Sequence, residues 1–195
     1  MPTLRPLRDY DEHDVINLFS WSGAVPAYKG TMVKIASPSG YVASAADPVE
    51  MFGAAGASVQ NTVSDRYRTS AQITTCGTGD EGTKDVPLGM LLYDVRENDE
   101  NGEKLLYHPR KAAENDWVIS GQAAPVLTRG IVLYSGATLA ASAPTLGTAL
   151  YHAANGELGD AGDVGTHGGG IGANVVGKTL GLLDGNNHIM VKLEL

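Results

Sequence analysis

Gly172-Ala173-Asn174-Val175-Val176-Gly177-Lys178-Thr179 has the G-x-x-x-x-G-K-T spacing of a phosphate-binding loop, in which backbone N–H groups cradle phosphates and the lysine reaches the terminal ones. That chemistry requires a buried strand before the loop and a helix after it, with the helix N-terminus facing the anion. Here Gly165-Thr166-His167-Gly168-Gly169-Gly170 precedes the motif and Leu180-Gly181-Leu182-Leu183-Asp184-Gly185 follows it, which leaves no room for the helix. Only 16 residues follow Thr179, too few for a further strand carrying a magnesium-binding carboxylate. Lys178 is therefore read as a polar residue opening a strand, and no nucleotide is expected there.

Asn98-Asp99-Glu100-Asn101-Gly102-Glu103 raises calcium as a second chemistry. Aligning Gly102 with the glycine of a twelve-residue calcium loop puts Glu97, Asp99 and Asn101 at the first ligand positions, but His108 falls where a bidentate glutamate is needed. The segment reads instead as an exposed hairpin loop turning at Asn101-Gly102. His13, His108, His152, His167 and His188 show neither the HxxxH spacing nor a cysteine partner that a metal site uses. There is no G-x-S-x-G elbow, and Cys76, between Thr75 and Gly77, has no recognisable catalytic neighbourhood. No enzymatic activity, cofactor or metal is expected.

Behind these segments stands a chain of 195 residues, 43% hydrophobic and 18% charged, long enough to bury a core without staples. Its net charge of −8 is wrong for the phosphate-neutralising patch that gives most nucleic-acid affinity, so nucleic acid is not an expected partner. No stretch approaches the roughly 20 apolar residues of a membrane span, and no apolar run follows the opening arginines as a signal peptide would require. Cys76 is the single cysteine, which rules out an internal disulfide and suits synthesis in a reducing cytoplasm. Charge is uneven: residues 117–195 hold 3 of the 14 Lys and Arg and 5 of the 22 Asp and Glu, so this part is a candidate for burial against another chain.

The 25 glycines suit many turns between short strands. Strand patterns fall at Val15 to Trp21, Thr31 to Ala36, Leu88 to Val95, Trp117 to Ile119, Val126 to Tyr134, Thr148 to Tyr151, Leu180 to Leu183 and His188 to Leu195. Helix signals are confined to Asp47-Pro48-Val49-Glu50, a capping box cut short by Gly53 and Gly56, and to a start at Pro109. Strands must then pack on strands, giving an all-β fold: a small barrel or sandwich body with an extended N-terminal arm and one or two short helices. The arm is 1–29 and the body 30–195. A faint repeat (Leu88-Gly89 through Tyr93, Leu146-Gly147 through Tyr151, and Leu180-Gly181) divides the body into related units 30–120 and 121–195, each with a glycine that lets a neighbouring backbone approach.

The arm carries Pro2, Pro6 and Pro26 together with more apolar anchors than a free tail needs. Leu4, Leu7, Tyr10, Phe19 and Trp21 are the candidate interface residues, with addition of an edge strand to the chain's own sheet as the competing role. The stretch Arg5 to Phe19, the opening Lys29-Gly30-Thr31-Met32-Val33-Lys34, the Leu-Gly strands and the ending Val176 through Leu193 resemble the capsid decoration (cement) proteins of tailed bacteriophages. The resemblance implies a β-rich body with an N-terminal arm, bound as a homo-oligomer, often a trimer, on the capsid exterior. There it clamps major capsid protein subunits, after synthesis in the host cytoplasm. Other virion roles stay open beside it: a minor capsid, fibre-base or glycan-binding module, the last needing a platform among Trp21, Tyr28 and Trp117.

Overall fold

The computed structural model describes residues 2–7, 11, 13–36, 72–77, 85–119, 122–160 and 175–195. Of these, 41% lie in strands and 13% are helical. The first half contributes β1 (Thr3–Pro6), β2 (Val15–Ile16), β3 (Met32–Ile35), β4 (Ile73–Thr75), β5 (Pro87–Leu91), β6 (Asp94–Arg96), α1 (Pro109–Glu114) and β7 (Trp117–Ile119). The second contributes β8 (Val126–Leu127), β9 (Arg129–Ser135), α2 (Ala137–Ser142), β10 (Ala149–His152), β11 (Leu158–Gly159), β12 (Gly177–Thr179) and β13 (Ile189–Glu194).

Two antiparallel sheets carry the fold, one of six strands in the order β1-β9-β13-β12-β10-β11, the other of five in the order β2-β8-β5-β3-β4. Both are open, so the all-β body is a layered one and not a closed barrel. Residues 1–29 supply an edge strand to each sheet, β1 to the larger and β2 to the smaller.

Side-chain alternation explains the layering. Met32, Met90 and Leu127 of the five-stranded sheet meet Val132, Tyr134, Leu150, Ile189, Val191 and Leu193 of the six-stranded sheet in one buried cluster. The neighbours Val33, Leu91 and Val126 point the other way, into a second cluster with Trp21, Ala27, Ile73, Val95, Val118 and Ala124. The five-stranded sheet is thus buried on both faces. The six-stranded sheet is buried on one, and its pattern shows it: Ile189, Val191 and Leu193 are covered while Met190, Lys192 and Glu194 are not.

Several strand expectations need correction. The run Leu88 to Val95 splits into β5 and β6 around Leu92-Tyr93, and Val126 to Tyr134 splits into β8 and β9 at Thr128. At that break the Thr128 N–H and hydroxyl both donate to the Asp14 carbonyl, at 2.8 and 3.0 Å, as the chain passes from one sheet to the other. Within Val15 to Trp21 only Val15–Ile16 forms a strand, and Ser20 and Trp21 make isolated bridges to Ala123 and Ile73. Leu180 to Leu183 is no strand: after the Leu180 N–H donates to Met190, the chain leaves the sheet for the Asp184 turn.

Helix α1 begins at Pro109 as expected, while α2 was not signalled, and the capping box at Asp47 lies outside the described residues. The three Leu-Gly pairs differ in what their glycine does. Gly89 does allow close approach, since a Cβ there would stand 2.5 Å from the Leu127 carbonyl oxygen; Gly147 instead adopts a φ of +76° in an open turn, and a Cβ at Gly181 would make only ordinary contact with Met190 Cβ at 3.5 Å.

Candidate functional site

The outer face of the six-stranded sheet is the candidate site. In an antiparallel pair, residues directly opposite each other project to the same side, so the registers assign its occupants row by row. One row runs from Met190 through Leu133 to Arg5. Leu180 extends it, because its N–H donates to the Met190 carbonyl at 2.8 Å. The next row runs Ala149, Lys178, Lys192, Ile131. Leu7 adjoins Ile131, donating its N–H to that carbonyl at 3.3 Å. Arg129 and Glu194 face each other at the end.

Among the described residues no layer packs over this face. Leu7 is 48% exposed, Met190 39% and Leu180 38%, which are high values for apolar side chains in or beside a sheet. Lys192 Nζ donates to the Glu194 carboxylate at 2.7 Å. That hydrogen bond and the lysine's charge hold Glu194 below the usual carboxylate range, with Arg129 and Lys178 adding to the effect. At the far end of the Leu133 row lies a depression of about 460 Å³ bounded by Thr3, Arg5, Asp184, Asn186 and His188. Its rim is a tight turn in which the Asp184 carboxylate accepts from the N–H groups of Asn186 and His188, each at 2.8 Å.

The structure distributes the four described arm residues, Leu4, Leu7, Phe19 and Trp21, among different places. Leu4 is buried in the cluster between the sheets, opposite Tyr134, and Trp21 in the cluster on the far side of the five-stranded sheet, where its Nε1 donates to the Ala24 carbonyl at 3.1 Å. Phe19 packs half-buried against that second cluster. Leu7 alone among the described four stands out on the surface, and Tyr10 lies outside the described residues. Sequence reasoning missed Ile131, Leu133, Lys178, Met190 and Lys192 as a set; beyond the low charge of residues 117–195, the period-two alternation of residues 189–194 was the signal that could have found them.

Several of the other groups singled out by the sequence sit in structural contacts. Gly177-Lys178-Thr179 is strand β12 and no helix follows it; Gly172 to Asn174 lie outside the described residues. Asp99 knots the loop at Asn101-Gly102, accepting from the N–H groups of Asn101 and Glu103 at 2.8 and 2.9 Å and from the Lys111 ammonium. The lysine hydrogen bond above all, helped by those two N–H groups, lowers its pKa to about 2. Cys76 is fully buried beside the Lys34–Asp85 pair; burial, reinforced by the Asp85 charge, pushes its thiol up to about 12, the opposite of what a thiolate nucleophile needs. Arg96 lies over Trp117 at 4.6 Å and Tyr28 at 5.9 Å, so it occupies the aromatic surface that a glycan platform would use. Among the described residues no group of three or more His, Cys, Asp or Glu is placed to hold a metal ion. No protein-family model, curated protein or solved structure matches the chain.

Proposed function

We propose that this chain is a structural virion protein, a capsid decoration (cement) protein that binds the outside of a bacteriophage head and reinforces the major capsid lattice. The observation that carries this reading is the outer face of the six-stranded sheet, which no described layer covers and where Leu7, Ile131, Leu133, Leu180 and Met190 stand in adjacent rows. Singly scattered apolar residues are ordinary on a surface, whereas contiguous ones rimmed by charge mark an interaction site. The 26 residues of the six strands, at about 3.3 Å rise and about 4.8 Å strand spacing, give a face of about 400 Å². A standard interface covers about 800 Å² on each partner, so one copy would hold a capsid weakly. A homo-oligomer engaging several sites at once, as a trimer does, multiplies that weak contact. Such attachment calls for no cofactor and no catalytic group, and it leaves the two-sheet body to resist deformation.

The test is cosedimentation with undecorated heads of a tailed bacteriophage. The full chain is expected to pellet with heads, and the double variant Leu7→Ser with Met190→Ser to pellet much less while its circular-dichroism melt matches the parent. Failure of the unmodified chain to pellet with any head would overturn the reading.

A further inference from the structure

We infer that the outer face of the six-stranded sheet recognises an acidic protein surface that carries apolar side chains between its carboxylates. The inference rests on that face being the attachment surface and adds the chemistry of what it attaches to. Arg5, Arg129, Lys178 and Lys192 all stand on it, with Glu194 the single carboxylate in the rows between them. With Asp184 beside Arg5 at the end of the Leu133 row, a local balance of two positive charges sits on a chain whose net charge is −8. The concentration is not a consequence of abundance. Residues 117–195 contain only three Lys and Arg, and the registers bring all three, Arg129, Lys178 and Lys192, to this one face from three different strands.

Their setting separates a protein partner from a polyanion. The cations alternate with Leu133, Ile131 and Met190, so a ligand made only of phosphates would desolvate that apolar area without covering it with anything apolar. Glu194 lies between Lys192 and Arg129, where it opposes a continuous line of phosphates but is readily accommodated by a surface whose own carboxylates are spaced. The remaining surface, strongly negative once this face is set aside, repels DNA or an anionic bilayer at long range, while an acidic patch of limited size on a protein lets the positive face dominate at contact.

The experiment uses the full chain and three immobilised probes: a random copolymer of glutamate and tyrosine, double-stranded DNA, and vesicles of phosphatidylserine and phosphatidylcholine. The parent is compared with Arg129→Glu combined with Lys178→Glu, and with the charge-conserving Arg129→Lys combined with Lys178→Arg. Both positions are exposed, and melts of each variant verify the fold. The copolymer is expected to be bound in preference to DNA and vesicles, about tenfold or more weaker in the charge-reversed variant, and unchanged in the conserving one. Added salt should weaken it. No binding of the copolymer, equal binding by the reversed variant, or preference for DNA or vesicles would overturn the inference. The same variants cosedimented with phage heads keep the two proposals apart. Heads bound equally by parent and reversed variant would leave the attachment reading standing and refute the acidic partner. Copolymer binding lost on reversal, with no head bound by any variant, would support the chemistry of the face and refute the capsid.

Discussion

Replacing Leu4 with alanine separates two roles for the N-terminal segment, as part of this chain's own core or as an anchor on something else. Leu4 is 4% exposed, lies opposite Tyr134 in the register of β1 with β9, and belongs to the cluster between the two sheets. Buried Leu→Ala changes cost about 2–5 kcal/mol, and the edge position of β1, where the chain relaxes more easily than in a central strand, favours the lower part, about 2–3 kcal/mol. For a domain near this size each kcal/mol moves the midpoint by about 2–4 °C, so Leu4→Ala should melt about 4–12 °C below the parent in scanning calorimetry. Leu7, three residues on and 48% exposed, provides the contrast: Leu7→Ala should stay within about 0.5 kcal/mol of the parent while reducing pelleting with heads. Deleting residues 1–12 removes β1 entirely and opens the β9 edge, so it should lower the melt further than Leu4→Ala does. A Leu4→Ala melt indistinguishable from the parent would refute the packing described above and return the whole segment to the role of a free arm.

Gly89→Ala would place a Cβ 2.5 Å from both the Leu127 carbonyl oxygen and Val126 Cγ1, forcing β5 and β8 apart; a loss of about 2 kcal/mol is expected, read as a lower urea midpoint at unchanged slope, and an unshifted midpoint would show that the strands are not so close. Cys76, fully buried with a thiol pushed up to about 12, should resist iodoacetamide in the folded protein at mildly alkaline pH and react in urea, so rapid labelling without denaturant would contradict its burial. The Asp99 carboxyl, with a folded pKa of about 2 against about 3.9 in an unfolded chain, stabilises fully above about pH 4 and loses that contribution as pH falls toward 2. Asp99→Asn should therefore melt below the parent at neutral pH and converge with it near pH 2; a gap that persists there would refute the assignment.

Where local chemistry decides an element, the sequence was legible. Trp117 to Ile119 is a strand with the expected bounds, α1 starts at the proline that presets its first turn, and Asn98 pairs with Lys104 across the turn at Asn101-Gly102. Strand breaks were hidden because the five-stranded sheet is covered on both faces. A strand buried on both sides reads as a continuous apolar run, so nothing in Leu88 to Val95 marks where β5 ends and β6, which pairs in parallel with β7, begins. What ends β8 at Thr128 is the carbonyl of Asp14, 114 positions away. Helix α2 was invisible for the same kind of reason: Gly136 offers no capping side chain, and the first-turn group Thr138 is held at its N–H and hydroxyl by the Glu157 carboxylate at 2.8 and 2.7 Å. Three Leu-Gly pairs looked like one device, yet only at Gly89 is the neighbouring strand too close for a Cβ, and that distinction depends on which strand lies next door.

The candidate site was legible in its quantity and not in its place. Scarcity of charge in residues 117–195 pointed to an interaction surface there, but hydrophobicity alone ranks Leu4, Leu7 and Trp21 together, although two are core and one is surface. Parity supplies part of the answer: alternation along 189–194 assigns Met190, Lys192 and Glu194 to one side before any partner is known. Register supplies the remainder, since Lys178 reaches Lys192, and Arg129 reaches Glu194, only when β12 and β9 flank β13 with the pairing observed. A one-residue slip in either pairing would turn a strand's inward residues outward, putting Tyr134 or Thr179 where the cations now stand. The burial of Val132, Tyr134, Val191 and Leu193 against the second sheet forbids that slip. The same core that holds the sheets together therefore fixes the positions of the charges on the opposite face, which is why a segment poor in charge can still present its three cations on one face.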